Sequence, residues 1–119
     1  MSNRQVRVVL LEEKIDDEVT SQGFDCSGLA HIALALMGHG TTSGGTITYE
    51  EAVDDPSTSD TIYGGTWSII GSANNASDVT GNKQKVTHLT VGAYGRIRAR
   101  ISDAITGGGS ISVVLIAKP

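Results

Sequence analysis

Three arginines stand on every second residue of "YGRIRARIS", residues 94–102, with Ile97, Ala99 and Ile101 alternating with them. A period of two belongs to an extended strand, sending Arg96, Arg98 and Arg100 to one face and the apolar set to the other. Guanidinium groups in a row can hold phosphates, grip carboxylates in forked pairs, or keep one side of a sheet wet. Proteins that bind single-stranded nucleic acid interleave basic residues with exposed aromatic rings. Here the interleaved residues are core types, so nucleic acid is not expected as a partner. Two readings stay open: a solvated face paired with the chain's own carboxylates, or a contact between subunits.

The other chemistry-bearing residues form no catalytic pattern. His31, His39 and His88 are dispersed, and no two share a metal-like spacing on one element. A zinc site would need three or four ligands converging from distant strands, so no metal is expected. Asp54, Asp55 and Asp60 crowd the stretch "DDPSTSD" without the frame of a calcium loop, and Asp beside Pro and Ser is ordinary turn chemistry. Glu50 and Glu51 would point to opposite faces of a strand and could not share one proton. No Ser, His and Asp form a nucleophile motif, and Gly107–Gly109 are not followed by the Lys-Ser/Thr of a phosphate loop. The chain is therefore expected to be no enzyme and to need no cofactor. Tyr63 and Trp67 could form a platform for stacking a sugar ring, although a single Trp near a strand start is more often a packing residue.

The elements that must position these groups follow from composition. The chain has 119 residues, 39% of them hydrophobic, with one Trp, one Phe and three Tyr, so its core must be aliphatic. That length suits a single domain, residues 1–119, with residues 1–7 as a possible N-terminal arm. Fifteen Gly and two Pro suit short strands joined by tight turns. The net charge of −4 argues against general adhesion to phosphate backbones. The charge is also uneven: residues 1–55 carry three Lys/Arg against ten Asp/Glu, and residues 56–119 carry six against three. Cys26 is alone, so no internal disulfide is possible, and it reads as a small buried or half-buried hydrophobe. No apolar run is long enough for a membrane helix, no membrane partner is expected, and "MSNRQVRVVLLEEK" lacks the features of a signal peptide.

Strands are predicted at "QVRVVLLEE", near "GFDCS", at "GLAHIALALMG", "TITYEEAV", "TWSIIGSA", "KVTHLTVGAY", "GRIRARIS" and "GSISVVLIA". "DDPSTSDTIYGG" and "NNASDVTGNKQ" read as polar loops. The last two strands, separated by "DAITGGG", are predicted to form an antiparallel hairpin. About seven or eight short strands at regular spacing, with no long helix, define an all-β protein: an antiparallel β-sandwich or jelly roll.

Residues 28–119 resemble small phage virion proteins with β-sandwich folds. The resemblance rests on "LAHIALALMG", on "GTITYEEA" leading to an acidic loop, and on "TWSII", "YGRIRARIS" and the closing "GGGSISVVLIAKP". In that group a strand ending in an acid precedes an Asp-containing loop and a Trp, and a later Tyr-x-Arg strand pairs through a glycine turn with a final aliphatic strand. The resemblance implies a virion structural role, as a capsid decoration (cement) protein or another head or tail component. It implies capsid or other virion proteins as partners, self-association, and synthesis in the host cytoplasm. On this reading Arg96, Arg98 and Arg100 are the candidate protein interface, and reversing Arg98 to Glu is expected to weaken assembly with the fold intact. The alternative reading is a carbohydrate- or receptor-binding module using Tyr63 and Trp67.

Overall fold

A computed structural model describes residues 5–26, 28–52, 67–89 and 95–119. Its strands are β1 (Val6–Lys14), β2 (Phe24–Asp25), β3 (His31–His39), β4 (Gly44–Ala52), β5 (Ser68–Asn75), β6 (Gln84–His88), β7 (Arg96–Thr106) and β8 (Ser110–Lys118). A short 3₁₀ turn, Ala76–Val79, separates β5 from β6. Two four-stranded sheets result, ordered β1-β8-β3-β6 and β2-β7-β4-β5. Every pairing is antiparallel. The first strand pairs with the last, the second with the seventh, the third with the sixth and the fourth with the fifth. This is one long hairpin wound into two layers, so the predicted sandwich is a jelly roll.

Alternation builds the core. Ile32, Leu34 and Leu36 of β3 and Ile111, Val113 and Leu115 of β8 face inward from the first sheet, and all are buried. Ile47 and Tyr49 of β4 and Ile97, Ala99 and Ile101 of β7 face them from the second. Register locks these rows: Leu34 lies opposite Leu115, and Tyr49 opposite Ala99. A slip of one residue would turn a whole set toward water. Cys26 is buried beside this core, as its sequence context predicts.

The layers are joined by a corner made of glycine. His39 pairs with Ser110 in the first sheet and Gly44 with Thr106 in the second, so the β3–β8 ladder and the β4–β7 ladder are one ribbon interrupted by a bend. Across the bend the amide of Gly109 donates to the Thr41 carbonyl at 2.8 Å, and that of Ser43 to the Thr106 carbonyl at 2.8 Å. Gly107 and Gly108 have φ of 108° and 96°, a region closed to most side chains. A Cβ on Gly109 would collide with the carbonyls of His39 and Thr41.

Two expectations are corrected here. β7 and β8 do not form a hairpin, because the glycine connection carries the chain from one sheet to the other and each strand pairs within its own layer. "NNASDVTGNKQ" is not simply a polar loop: Asn74 and Asn75 end β5, while Ala76 and Val79 are fully buried. Val79 packs over Gly38, where the inward row of β3 lacks a side chain. The buried Thr42 hydroxyl donates to the Ala76 carbonyl at 2.7 Å, fastening this turn to the corner. Of the proposed N-terminal arm, Val6 and Arg7 already belong to β1, and residues 1–4 lie outside the described residues.

Tyr49 is 2% exposed, and its hydroxyl is buried with no hydrogen-bond partner among the described residues. Burial pushes its phenol well above the ordinary value of 10.0. The folded pKa exceeds the unfolded one, so this stabilisation is complete below about pH 10 and is lost as pH rises further. Tyr49→Phe is expected to lie within about 1 kcal/mol of wild type at pH 7, because no satisfied hydrogen bond is removed. Above about pH 10 wild type should lose stability relative to the variant by up to about 1.4 kcal/mol per pH unit. Urea denaturation of both proteins at several pH values checks this; parallel curves would refute it.

Candidate functional site

The arginine stripe emerges on the outer face of the second sheet, with Ile97, Ala99 and Ile101 buried beneath it as alternation predicts. It is not an open row of cations. Glu50 of β4 stands directly opposite Arg98 in the ladder, on the same outer face. Arg98 Nε donates to Glu50 Oε1 at 2.7 Å, and Arg100 Nη1 lies 3.7 Å from Glu50 Oε2. Glu50 is only 5% exposed, so one almost buried carboxylate gathers two guanidinium groups. A carboxylate withdrawn from water needs such charged donors.

The acidic segment before β2 completes this surface. It runs beside β7, with Glu18 N donating to Ile101 O at 3.0 Å, Ser21 N to Ala99 O at 2.8 Å, and Thr20 bridging to Arg100. That course brings Glu18 within 4.0 Å of Arg100. Arg96 faces Asp25 across the β2–β7 ladder. The acidic N-terminal half thus supplies partners to the basic stripe within one molecule, as one of the two sequence readings has it.

Trp67 immediately precedes β5. The Arg98 guanidinium sits 4.1 Å from the centre of its ring, a cation–π contact that covers one ring face. The far edge of the indole lies close enough to Gly23 that a Cβ there would strike it. Trp67 is half-buried, and its indole N–H is buried with no hydrogen-bond partner among the described residues. Tyr63, the other member of the candidate platform, lies outside the described residues, as do Asp54, Asp55 and Asp60.

The histidines go to different places. His39 ends β3, its Nε2 2.8 Å from the Ser112 hydroxyl. His31 and His88, on neighbouring strands of the first sheet, line a shallow cleft of about 350 Å³ with Ala33, Val86, Ile116 and Lys118. Sequence spacing gave no sign that these two would meet. Among the described residues no three His, Cys, Asp or Glu gather where they could hold a metal ion. No helix among the described residues is long and apolar enough to cross a membrane.

The fold and this surface define a class, a jelly-roll β-sandwich with a charge-paired outer face on one sheet. No protein-family model and no curated protein sequence matches the chain. Among solved structures, the backbone is similar to the crystal structure of SPBc2 prophage-derived protein YomS. The TM-score is 0.68 at 10% identity, covering 100% of this chain and 96% of that one. At that identity the likeness is one of fold, and it extends over the whole chain.

The geometry revises what reversal of Arg98 should do. A carboxylate there would face the nearly buried Glu50 and lift the cation from Trp67. Removing one partner of a buried pair costs about 3–5 kcal/mol. Because Arg98 keeps 22% of its side chain exposed, Arg98→Glu is expected to lose stability toward the lower end of that range. Arg98→Lys should lose less, since it keeps a charge but not the fork or the stacking. Urea midpoints measure both, and an unchanged midpoint for Arg98→Glu would show that the Glu50 cluster carries no stability.

Proposed function

We propose that this chain is a non-catalytic structural protein of a phage particle, a capsid decoration protein or another head or tail component. In this role it binds a symmetric protein lattice and associates with copies of itself. The observation that carries the reading is the fold likeness, over nearly the full length of both chains, to a prophage-derived protein. Sequence motifs in residues 28–119 resemble small virion β-sandwich proteins and point the same way. Its partners are then capsid or other virion proteins, and its location is the particle, after synthesis in the host cytoplasm.

The described surface suits adhesion better than turnover. Its clefts are shallow and open, and the strongest charge cluster is consumed by internal pairing. Many weak contacts repeated over a lattice give durable attachment without any deep pocket. The carbohydrate-binding alternative asks for an open aromatic face at Trp67, where Arg98 already lies over the ring.

Quantitative mass spectrometry of particles purified from a phage or prophage lysate encoding the chain tests the reading. The chain is expected as an integral component, at a copy number set by the symmetry of the head or tail. Its absence from washed particles, with the protein present in the lysate, would overturn the proposal.

A further inference from the structure

The outer face of the first sheet has a composition that a two-layer fold does not explain. Only one face of each sheet can be covered by its partner sheet, and the other ordinarily carries polar residues. Yet β8 reads Val113-Val114-Leu115-Ile116-Ala117, apolar on both faces, and β3 places Ala33, Ala35 and Met37 outward. The register aligns these residues into rows. Val9, Val114, Ala35 and Val86 lie side by side across all four strands, and Arg7, Ile116, Ala33 and His88 form the next row. Val9 is 52% exposed and Val86 44% exposed, two of the large hydrophobic residues most open to solvent. Between them Val114 and Ala35 are buried, at 2% and 5% exposure, so the solvent-open apolar surface is carried by Val9, Val86 and the half-buried Ala33, Met37 and Ile116.

We infer that a second copy of this chain seats on that face, sheet against sheet, about a two-fold axis running across the strands. Charge selects both the occupant and the axis. At one end the outward residues include two cations, Arg7 on the second row itself and Lys118 just beyond it. At the other end a bulge in β1 sets both Glu12 and Glu13 opposite Ser112, whose hydroxyl accepts from the Glu13 amide at 2.9 Å. Of the lysines at this end and edge, Lys14 and Lys85 fall on the inward parity of their strands, opposite Ile111 and Leu36, and Lys83 precedes β6. An axis across the strands lays the basic end of one copy over the acidic end of the other, twice. An axis along the strands would instead set like charges together. The same rotation puts the Met37 end of one copy above the cleft between His31 and His88 of the other, and a flexible Met suits an irregular hollow.

Four strands about 4.8 Å apart and five residues of about 3.3 Å each give a footprint of roughly 250 Å² before side-chain relief. That is below the roughly 800 Å² per partner of a standard interface, so the contact is expected to be weak and concentration-dependent. The inference rests on the self-association in the proposed function, but it moves the contact from the arginine stripe to the opposite sheet.

Light scattering of the purified full chain at roughly 100 μM, where a micromolar contact is nearly saturated, is the test. Wild type should give about twice 12.4 kDa, or an even multiple. Val9→Asp/Val86→Asp should give the monomer mass with an unchanged circular dichroism spectrum, while Ile69→Asp, exposed on the other sheet, should leave the mass as it was. Arg7→Glu should weaken the dimer at least tenfold, and combining it with Glu12→Arg and Glu13→Arg should restore it. A monomeric wild type would overturn the inference, as would a trimer or an unchanged mass in the double Asp variant. So would a monomer whose particle binding alone is lost in that variant, since another protein would then occupy the face. A monomer that still enters particles would sink this contact and leave the virion reading standing; a dimer absent from particles would do the reverse.

Discussion

The structure depends on a two-stranded antiparallel ribbon that bends once. β3 with β8, and β4 with β7, are halves of the same ladder, and the bend between them turns one sheet into two facing layers. The bend requires backbone without side chains on one arm, supplied by Gly107, Gly108 and Gly109, and tight hydrogen bonding to the other arm at residues 41–43. Everything else is hung on this ribbon. β1 and β6 flank its first half, and β2 and β5 its second. The turn at Ala76–Val79 closes the end of the sandwich by seating Val79 over Gly38. Most of these pairings join residues far apart in sequence, so the ribbon can form only after large loops are closed, which makes slow folding the natural expectation.

The two outer faces of the sandwich solve the problem of solvent in opposite ways. On the second sheet, Glu50, Arg98, Arg100 and Glu18 form a charged layer that satisfies itself, with Trp67 stacked against it. Such a layer has little left to offer a partner, because its strongest donors and its carboxylate are already engaged. On the first sheet the outer rows carry Val, Ala, Ile and Met beside Arg7 and His88; Val114 and Ala35 are buried in their middle, and Val9 and Val86 stand open to solvent on the edge strands. A face that loses free energy in water and gains it on contact is the better adhesive surface.

Much of this was legible in the sequence, and the limits of legibility have physical causes. The arginine stripe, its buried underside and the all-β architecture follow from a period of two, which is local and survives without knowledge of the fold. The partner of the stripe was also written there: Thr48 and Glu50 alternate with Ile47 and Tyr49, placing one acid on the outward face of a neighbouring strand. What periodicity cannot give is which strand is the neighbour. "DAITGGG" looks like a hairpin loop because short glycine-rich connections usually are, and only the three-dimensional ribbon shows it changing layers. The meeting of His31 with His88 and the burial of Val79 have the same origin, since both depend on strand order. The apolar outer face did leave a signal. "SVVLIA" and "LAHIALALMG" are apolar at consecutive positions, which departs from the alternation of a sheet with one wet face.

The near-buried cluster at Glu50 also bears on specificity. Ion pairs taken out of water seldom add much net stability, since desolvation offsets the attraction. Their effect is sharper on wrong arrangements than on the right one. A one-residue slip of β4 against β7 would drive Glu50 into the aliphatic core and lift Tyr49 into water, leaving Arg98 and Arg100 without their carboxylate. The cost of that error is far larger than the gain of the correct pairing, so the cluster selects a register more than it strengthens one. The bent ribbon needs such selection, because its glycine corner is permissive and its strands carry apolar residues that could pair in several alignments. The charged face thus selects how the strands align as the molecule folds.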